Sequence, residues 1–592
     1  MSLRRSTKNS ASPAAMGFLP PDSPAALAAG EAEQTAALQR LEAAMRELRN
    51  VATEPVLRRA LDELRAENHH AATEWALKAL KLDEMNATAW RILAAARDSA
   101  GDFKTALQAY DSALALTPND FELANDLGRL AYRMGKPQIA EQLFRRHLEH
   151  DPASVEATNN LACVIRDGQR HAEAIEILRP AIVANPQNAM LWNTLGTVLN
   201  QQGDTGTSLT FYDEAIRLDP TYAKALHNRS NALLSVGRAD EAFADCEAAY
   251  AASIELDDKA MMRLSRSSIE LCRGQIAAGW DDYEVRFDPH FAAVTRHLVR
   301  YPRWSPETAL EGKTLLVFGE QGLGDEVLFA NLLPDLIEAL GPGGKLVMAV
   351  ERRLVPLIQR SFPMAEVGAH ATYKVDGHVV RGAEFTEDRE DIDLWSPIGS
   401  LLRRFRRTLE DFPDRKRFLT ADPARVDHWR RVLATAPTGP KVGILWKSLK
   451  LDAERARYFS PFQLWGPVLR TRGISFVNIQ YGDCAEELAM AERDFGVTIW
   501  QPPGIDLKED LDDLAALTCA LDLNLGFANA TSNIAAACGA PTWIISPPGA
   551  WTRLGTDRMP WYPQARVFLQ RDFANYDSLL GEVAFALATT FG

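Results

Sequence analysis

Apolar, small and turn-forming residues recur through the first half of the chain at one fixed interval of 34 residues. Between them, apolar residues at helical spacing predict two helices per interval. The glycine marks the turn, the small residue marks the closest approach of the two helices, and the proline ends the second helix because it lacks an N–H donor. The recurring positions are Gly101, Gly135, Gly203 and Gly237; Ala106, Ala140, Ala174, Ser208 and Ala242; and Pro118, Pro152, Pro186 and Pro220.

Helical spacing extends to both sides of this array. Upstream, Leu38, Leu41, Met45 and Leu48 predict a helix that leads into the repeats. Downstream of Tyr250 the interval fades, and residues 257–311 are predicted to hold capping helices and a linker, because a terminal repeat needs a different outer face.

From Gly312 onward, short apolar runs alternate with helical stretches, which predicts parallel sheets covered on both faces. Two such units, 312–420 and about 438–592, are expected to face each other across a hinge at 421–440, with ligands at the carboxyl ends of the strands. The predicted strands are Lys313–Phe318, Lys345–Val350, His378–Val380, Lys441–Trp446, Ile474–Gln480, Val497–Trp500, Leu521–Phe527 and Pro541–Ser546.

Composition narrows the class of protein. A net charge of −14 argues against general nucleic-acid binding, and no stretch is long and apolar enough to predict membrane insertion. Residues 1–30 are rich in proline and predict a disordered tail. The six cysteines are scattered without a CxxC pair, so we expect free thiols and a cytoplasmic location.

The loop Gly319–Glu326, "GEQGLGDE", lies between a predicted strand and a predicted helix. Its glycines let backbone amides approach a ligand, and the helix N-terminus favours an anion. Gln321, Gly322 and Gly324 are therefore candidate donor-binding residues, although many strand-to-helix turns are glycine-rich for geometry alone. The nearby "GKT" at Gly312–Thr314 is not a P-loop, because a strand follows it rather than a helix.

A second polar helix start follows the strand that ends at Phe527. Asn529, Thr531, Ser532 and Asn533 offer a seat for a phosphate or diphosphate; simple N-capping by serine or asparagine is the alternative. Other signals are weak. The pairs Asp391/Asp393 and Asp510/Asp512 are better explained by a loop and a helix start than by a metal site, and His147 and His150 are expected to be solvated on a repeat helix.

The 34-residue array resembles the tetratricopeptide repeat (TPR) family, with five to six repeats over about 53–256. Residues 279–570 resemble the glycosyltransferase region of bacterial TPR-fused proteins, which is similar to the GT-B transferases related to heptosyltransferases and more distantly to O-linked GlcNAc transferases. The shared motifs are Gly279-Trp280 with Arg286-Phe287, Leu310–Val317, Glu320–Asp325, Val442–Trp446, Ile479–Gly482, Ala536–Trp543 and Pro560–Pro563.

One departure from that family concerns the helix after Phe527. Many relatives have Asp-Thr-x-x-x-His there, whereas this chain has Ala528, Asn529 and Asn533 at those three places. The arrangement is similar to flagellin glycosyltransferases that attach nonulosonic acids. The resemblance implies a CMP-activated donor such as CMP-pseudaminic acid and no other cofactor, but the altered positions leave open a different sugar or lost activity.

These observations together predict a multidomain chain: a disordered tail (1–30), N-terminal helices and an all-α TPR solenoid (31–256), a linker (257–311) and an α/β GT-B region of two Rossmann-like halves (312–420 and 421–592). The predicted function is metal-independent O-glycosylation of serine or threonine in an acceptor protein, flagellin, that the array binds. Asp325 would be the general base, with Lys447, Arg455 and Arg457 as candidate cations for the departing phosphate. The alternatives are a scaffold or chaperone with a degenerate transferase region, and a transferase for another glycan.

Overall fold

The computed structural model describes residues 24–118, 120–291, 293–375, 378–448, 458–571 and 575–592. The chain forms two compact units, one ending at Val164 and the other comprising Ile165–Gly592. The second unit continues across the boundaries predicted at 256 and 311, which stay predictions.

The first unit is built of helices, and its helix α1 already covers residues 24–30 of the predicted tail; residues 1–23 lie outside the described residues. The last helix, α7, crosses into the second unit. The helices are α1 Pro24–Arg65, α2 His69–Leu82, α3 Ala87–Ser99, α4 Phe103–Leu116, α5 Phe121–Arg133, α6 Pro137–His150 and α7 Val155–Asp167.

The second unit begins with seven further helices, and its helix pairs confirm the predicted all-α array. They are α8 His171–Ala184, α9 Ala189–Gln202, α10 Thr205–Leu218, α11 Ala223–Ser235, α12 Ala239–Ala252, α13 Leu256–Cys272 and α14 Ile276–Tyr283. Across both units the four recurring glycines have positive φ, between 68° and 99°, as a turn without a Cβ allows. The five recurring small residues are fully buried, as close helix packing requires.

A four-stranded parallel sheet with strand order β4-β3-β2-β7 follows the helices. Beside it, β1, β6 and β5 form a separate three-stranded sheet. The elements of this region are β1 Thr295–His297, β2 Thr314–Phe318, α15 Leu323–Phe329, α16 Leu333–Leu340, β3 Lys345–Val350, α17 Val355–Ser361, β4 Glu366–Ala369, β5 Ala371–Val375, β6 His378–Gly382, β7 Leu394–Pro397 and α18 Leu402–Phe405.

A five-stranded parallel sheet with strand order β12-β11-β10-β8-β9 completes the chain. The central strands β8, β10 and β11 are apolar and almost wholly buried, as expected for a sheet with helices on both faces. The elements are α19 Pro423–Leu433, β8 Lys441–Leu445, α20 Gly466–Leu469, β9 Ser475–Asn478, α21 Ala485–Met490, α22 Leu511–Ala520, β10 Leu523–Phe527, α23 Ala530–Ala537, β11 Thr542–Ser546, β12 Arg566–Leu569 and α24 Tyr576–Phe591.

An aromatic cluster joins the end of the helical array to both large sheets. Trp280 of α14 is almost completely buried, and its Nε1 donates to the carbonyl of Arg406 at 2.8 Å. Its ring makes edge contacts with Phe329 of α15 and with Trp551 and Trp561, which follow β11. The array end and the α/β region of this unit therefore share one core.

Two sequence predictions are wrong. Val497–Trp500 is not a strand; only Trp500 makes a bridge, to Val477. The predicted strand at His378 is present as β6 and pairs in the small three-stranded sheet. His147 is buried rather than solvated, because its Nδ1 bonds to the Phe121 carbonyl at 2.8 Å. Among the described residues, no helix combines the length and apolar character that crossing a membrane requires.

Candidate functional site

The two polar helix starts singled out in the sequence contact each other, where β2 and β10 end. The Nδ2 of Asn533, on α23, donates to the carbonyl of Gly324 at 3.0 Å. Gly324 lies beside the start of α23: a Cβ there would be 3.6 Å from the amide nitrogen of Ala530, which is an ordinary van der Waals contact. The glycine-rich loop and the start of α23 thus form one site at the carboxyl ends of two parallel sheets, where α/β folds bind ligands.

Asp325 lies on the first turn of α15, directly after Gly324 in the chain. The amide of Gly322 donates to its Oδ2 at 3.1 Å, so the carboxylate caps its own helix. Burial raises the pKa of Asp325 to about 6, and the neighbouring Glu320 and Glu326 add to the rise. A carboxyl group with a pKa of about 6 is suited to accept a proton near neutral pH.

Gln321 occupies a strained turn in the same loop. Its φ of 61° is unusual for a residue with a Cβ. Its exposed side chain lies near the Tyr283 hydroxyl, which belongs to the end of the helical array. Backbone strain of this kind persists only where surrounding contacts enforce it.

The contacts that enforce it involve Glu320, next to Gln321. Arg286, whose side chain is 3% exposed, donates to both carboxylate oxygens of Glu320 at 2.8 and 2.9 Å. The amide of Gly399 donates to the same carboxylate at 2.6 Å. This buried pair fixes the start of the loop to the segment after α14. Sequence reasoning recorded both residues as motif positions but not their pairing, since they lie 34 residues apart.

The start of α23 is closed by reciprocal capping. Asn529 Oδ1 accepts from the amide of Ser532 at 3.2 Å, and Ser532 Oγ accepts from the amide of Asn529 at 2.8 Å. Ser532 Oγ also donates to the carbonyl of Phe527 at 3.1 Å. The capping alternative is therefore realised for Asn529 and Ser532. Thr531 is buried beside them.

Two carboxamide atoms at this helix start have no hydrogen-bond partner among the described residues: the Nδ2 of Asn529 and the Oδ1 of Asn533. Asn533 is nine-tenths buried, so its unpaired acceptor is costly to leave unsatisfied. One donor and one acceptor remain for a ligand at the N-terminus of an eight-residue helix.

The predicted cations are placed less favourably. Lys447 follows β8, and its ammonium group pairs with Glu487 of α21, which neutralises its charge. Its amide donates to Gln480 Oε1 at 2.9 Å. Arg455 and Arg457 lie outside the described residues. Sequence reasoning missed Arg553, whose guanidinium donates to the carbonyls of Pro547 and Pro548 and so shapes the loop after β11.

That loop packs against the helical array. Cys272 Sγ, at the end of α13, donates to the carbonyl of Gly549 at 3.3 Å, and Gly549 approaches Leu234 of α11 so closely that a Cβ would lie 2.0 Å from its carbonyl oxygen. A cavity of about 460 Å³ lies here, lined by Thr197, Asn200, Gln201, Tyr212, Asn228, Asn231, Leu234, Ser235, Leu264, Ser265, Ser268, Tyr458 and Gly549. Its walls are mostly carboxamide and hydroxyl groups.

Comparison with known proteins assigns the array. A tetratricopeptide repeat family model matches residues 57–121, 125–189 and 166–223, and a second such model matches 211–244. A crystal structure of a tetratricopeptide repeat protein from Parabacteroides merdae aligns at 16% identity with a TM-score of 0.34, over 39% of this chain and 91% of that one.

Two curated relatives extend the comparison. Protein FlbA of Caulobacter vibrioides is 49% identical over 560 residues, which cover 95% of this chain and 94% of that protein. Protein O-mannosyl-transferase TMTC1 of Homo sapiens is 28% identical over 161 residues, which cover 26% of this chain and 18% of that protein.

Proposed function

We propose, from the premise that the chain belongs to the family of Protein FlbA, that it is a protein O-glycosyltransferase whose TPR array binds the acceptor. The observation that carries the proposal is the contact between the Asp325 loop and the start of α23. It brings a carboxyl group of raised pKa close to an N-terminal helix seat with unpaired polar atoms. In this proposal the two parallel sheets are the two Rossmann-like halves of a GT-B fold.

The residues take the following roles in transfer. A serine or threonine hydroxyl oxygen forms a bond to the anomeric carbon of the sugar while the bond from that carbon to the donor phosphate breaks. Asp325 accepts the hydroxyl proton, and the nucleotide leaves with the electron pair. The N-terminus of α23 and the Nδ2 of Asn529 stabilise the charge on the leaving phosphate, so the reaction needs no bound metal.

The proposed donor is a CMP-activated nonulosonic acid such as CMP-pseudaminic acid, and the proposed acceptor is flagellin. Both rest on the family resemblance of the sequence. The Oδ1 of Asn533 supports a donor that presents a hydroxyl or N–H group, because an unpaired carboxamide oxygen can only accept. The cavity beside Gly549 gives an acceptor segment a place against the array and the loop after β11.

A second candidate function is a scaffold or chaperone that binds the same acceptor without chemistry. The pairing of Lys447 with Glu487 favours it, because the cation nearest the end of β8 is neutralised. Ala528 also favours it, since relatives carry an aspartate there.

The test is the intact mass of the acceptor in cells that carry the wild-type chain, Asp325→Asn or no chain. We expect the glycan mass with the wild type and its loss in the other two cells. Asp422→Asn, which alters a helix-capping aspartate of α19, is the matched control and should retain the glycan. Glycosylation that persists in Asp325→Asn rules out Asp325 as the base. If no cell shows the glycan and the wild-type chain still pulls down the acceptor, the scaffold is favoured.

A further inference from the structure

The first part of α1 extends well beyond the helix that covers its second part. α1 has 42 residues and α2 has 14, so at 1.5 Å per residue α1 is roughly 40 Å longer. Burial by α2 and its neighbours is concentrated after Val51, at residues such as Thr53 and Ala60. Of the α1 side chains that the structure describes between residues 34 and 50, all except Ala36 are exposed.

This extension carries an apolar stripe on one face. Leu38, Leu41, Met45 and Leu48 are between 46 and 67% exposed, and Val51 beside them is 66% exposed. The spacing of the first four is three, four and three residues, which is the a and d pattern of a heptad. At roughly 100 Å² each, the five side chains form a patch of about 500 Å², comparable with the largest apolar patch on a typical monomer, which is often functional.

The stripe continues into a groove at the base of the extension. Leu41 and Met45 line a cavity of about 780 Å³ together with Met85, in the turn between α2 and α3, and Leu116, the last residue of α4. The first helix of a repeat array ordinarily presents a polar outer face that protects the array from solvent. Here the first helix carries an exposed apolar stripe instead.

We propose that this stripe, Leu38–Val51 of α1, pairs with the same segment of a second copy of the chain and makes the protein a dimer. A second copy is the occupant that the spacing itself specifies, because a and d side chains of one helix fit between those of another helix with the same period. Such an isologous contact uses the same surface on both copies, so assembly stops at the dimer. The seam spans two heptads, so the dimer dissociates on dilution.

The test is the mass of the full chain, measured by sedimentation velocity over a concentration series. We expect the wild type to approach twice the 65.5 kDa of one chain at about 50 μM. Leu41→Asp/Leu48→Asp should halve that mass at every concentration, with unchanged far-UV circular dichroism. Val183→Asp/Ile254→Asp is the matched control, because both residues are 78% exposed and lie outside the stripe; it should remain dimeric.

A second measurement locates the contact. Leu41→Cys/Met45→Cys should cross-link two copies with a short bismaleimide in either helix direction, whereas Glu47→Cys, outside the a and d positions, should not. A mass of 65.5 kDa up to about 100 μM overturns the proposal, as does a dimer that survives Leu41→Asp/Leu48→Asp. A monomeric wild type whose acceptor pull-down is lost in that variant assigns the stripe to the acceptor instead.

Discussion

Asp325 is a carboxyl group whose ionisation the fold opposes. Burial places its pKa at about 6, above the value of an exposed aspartate. Between those two values the folded state binds a proton that the unfolded state has released, so this group's contribution to stability falls as pH rises and levels off above pH 6.

The first prediction follows from that pKa. Transfer by the wild type should rise with pH and reach half its maximum near pH 6, because the base must be ionised. Asp325→Asn should lose about 10²–10⁴-fold in turnover, while its melting temperature at pH 7 stays equal to or above that of the wild type. The measurements are a pH–rate profile and thermal unfolding. A variant that loses stability along with activity would point to a structural role for Asp325.

His297 shows the opposite effect. Burial, followed by the charges of Arg381, Arg303 and Arg286, lowers its pKa to about 3. Its Nε2 has no hydrogen-bond partner among the described residues, and its ring contacts Phe318. In the unfolded chain His297 binds a proton at about pH 6.5, whereas in the folded chain it does so only at about pH 3. Between these values protonation favours the unfolded chain, so the protein loses stability as the pH falls.

The second prediction is that His297→Phe resists acid better than the wild type. Phenylalanine fits among aromatic neighbours and has no proton to bind. Between pH 7 and pH 5 the wild type should lose about 1–2 kcal/mol that the variant keeps. Melting temperatures at the two pH values measure this difference, and His70→Phe, at an exposed position on α2, is the control that should not change it.

At the scale of elements, the glycines on the repeat helices differ in the space available for a Cβ atom. On Gly196 of α9 a Cβ would lie 2.8 Å from the buried ring of Tyr212, whereas on Gly206 of α10 nothing lies within 4 Å. Both are glycines on neighbouring repeat helices, but only one marks a helix contact.

The third prediction compares these two. Gly196→Ala should destabilise the second unit by about 1–3 kcal/mol, since Tyr212 has to move. Gly206→Ala should be neutral or stabilise it by up to about 1 kcal/mol, because alanine favours the helix. Urea unfolding followed by circular dichroism distinguishes them, and equal effects would contradict the packing account.

Elements with a strong period were predictable from the sequence, and elements that depend on distant partners were not. The 34-residue interval and the apolar strands β2, β3, β8, β10 and β11 were predicted to within two residues at each end. The strand β12 was missed, because Arg566–Leu569 is only four residues long and is defined by pairing with β11. The two helix starts of the site were found from local glycine and asparagine signals, but the Arg286–Glu320 pair that positions one of them depends on tertiary contacts.

At the scale of the molecule, the aromatic cluster connects the end of the array to the α/β region of the second unit. We therefore expect these two parts to unfold together. Trp561 is fully buried, contacts Trp280 and Phe412, and donates from Nε1 to the carbonyl of Thr552 at 2.9 Å. Removing the Trp561 ring would leave a cavity between Trp280 of α14, Phe329 of α15 and Phe412.

The fourth prediction is that Trp561→Ala costs about 3–5 kcal/mol and lowers hydrogen-exchange protection in α13, α14 and α15 together. Phe585→Ala, which removes an aromatic ring that is 75% exposed, should cost less than about 0.5 kcal/mol. If exchange rises in α15 but not in α13 or α14, the cluster does not link the array to the sheets.

The close packing of Gly549 on Leu234 constrains how such a protein can acquire a new binding specificity. Repeat arrays diverge readily by exchanging whole repeats, yet α11 and α13 contact the loop after β11, so a foreign repeat there would meet a surface shaped for another. The repeats of the first unit, which ends at Val164, are in a different compact unit from the loop after β11. Recombination that grafts a new array onto this α/β region should therefore succeed with junctions inside α7 and fail with junctions after α14.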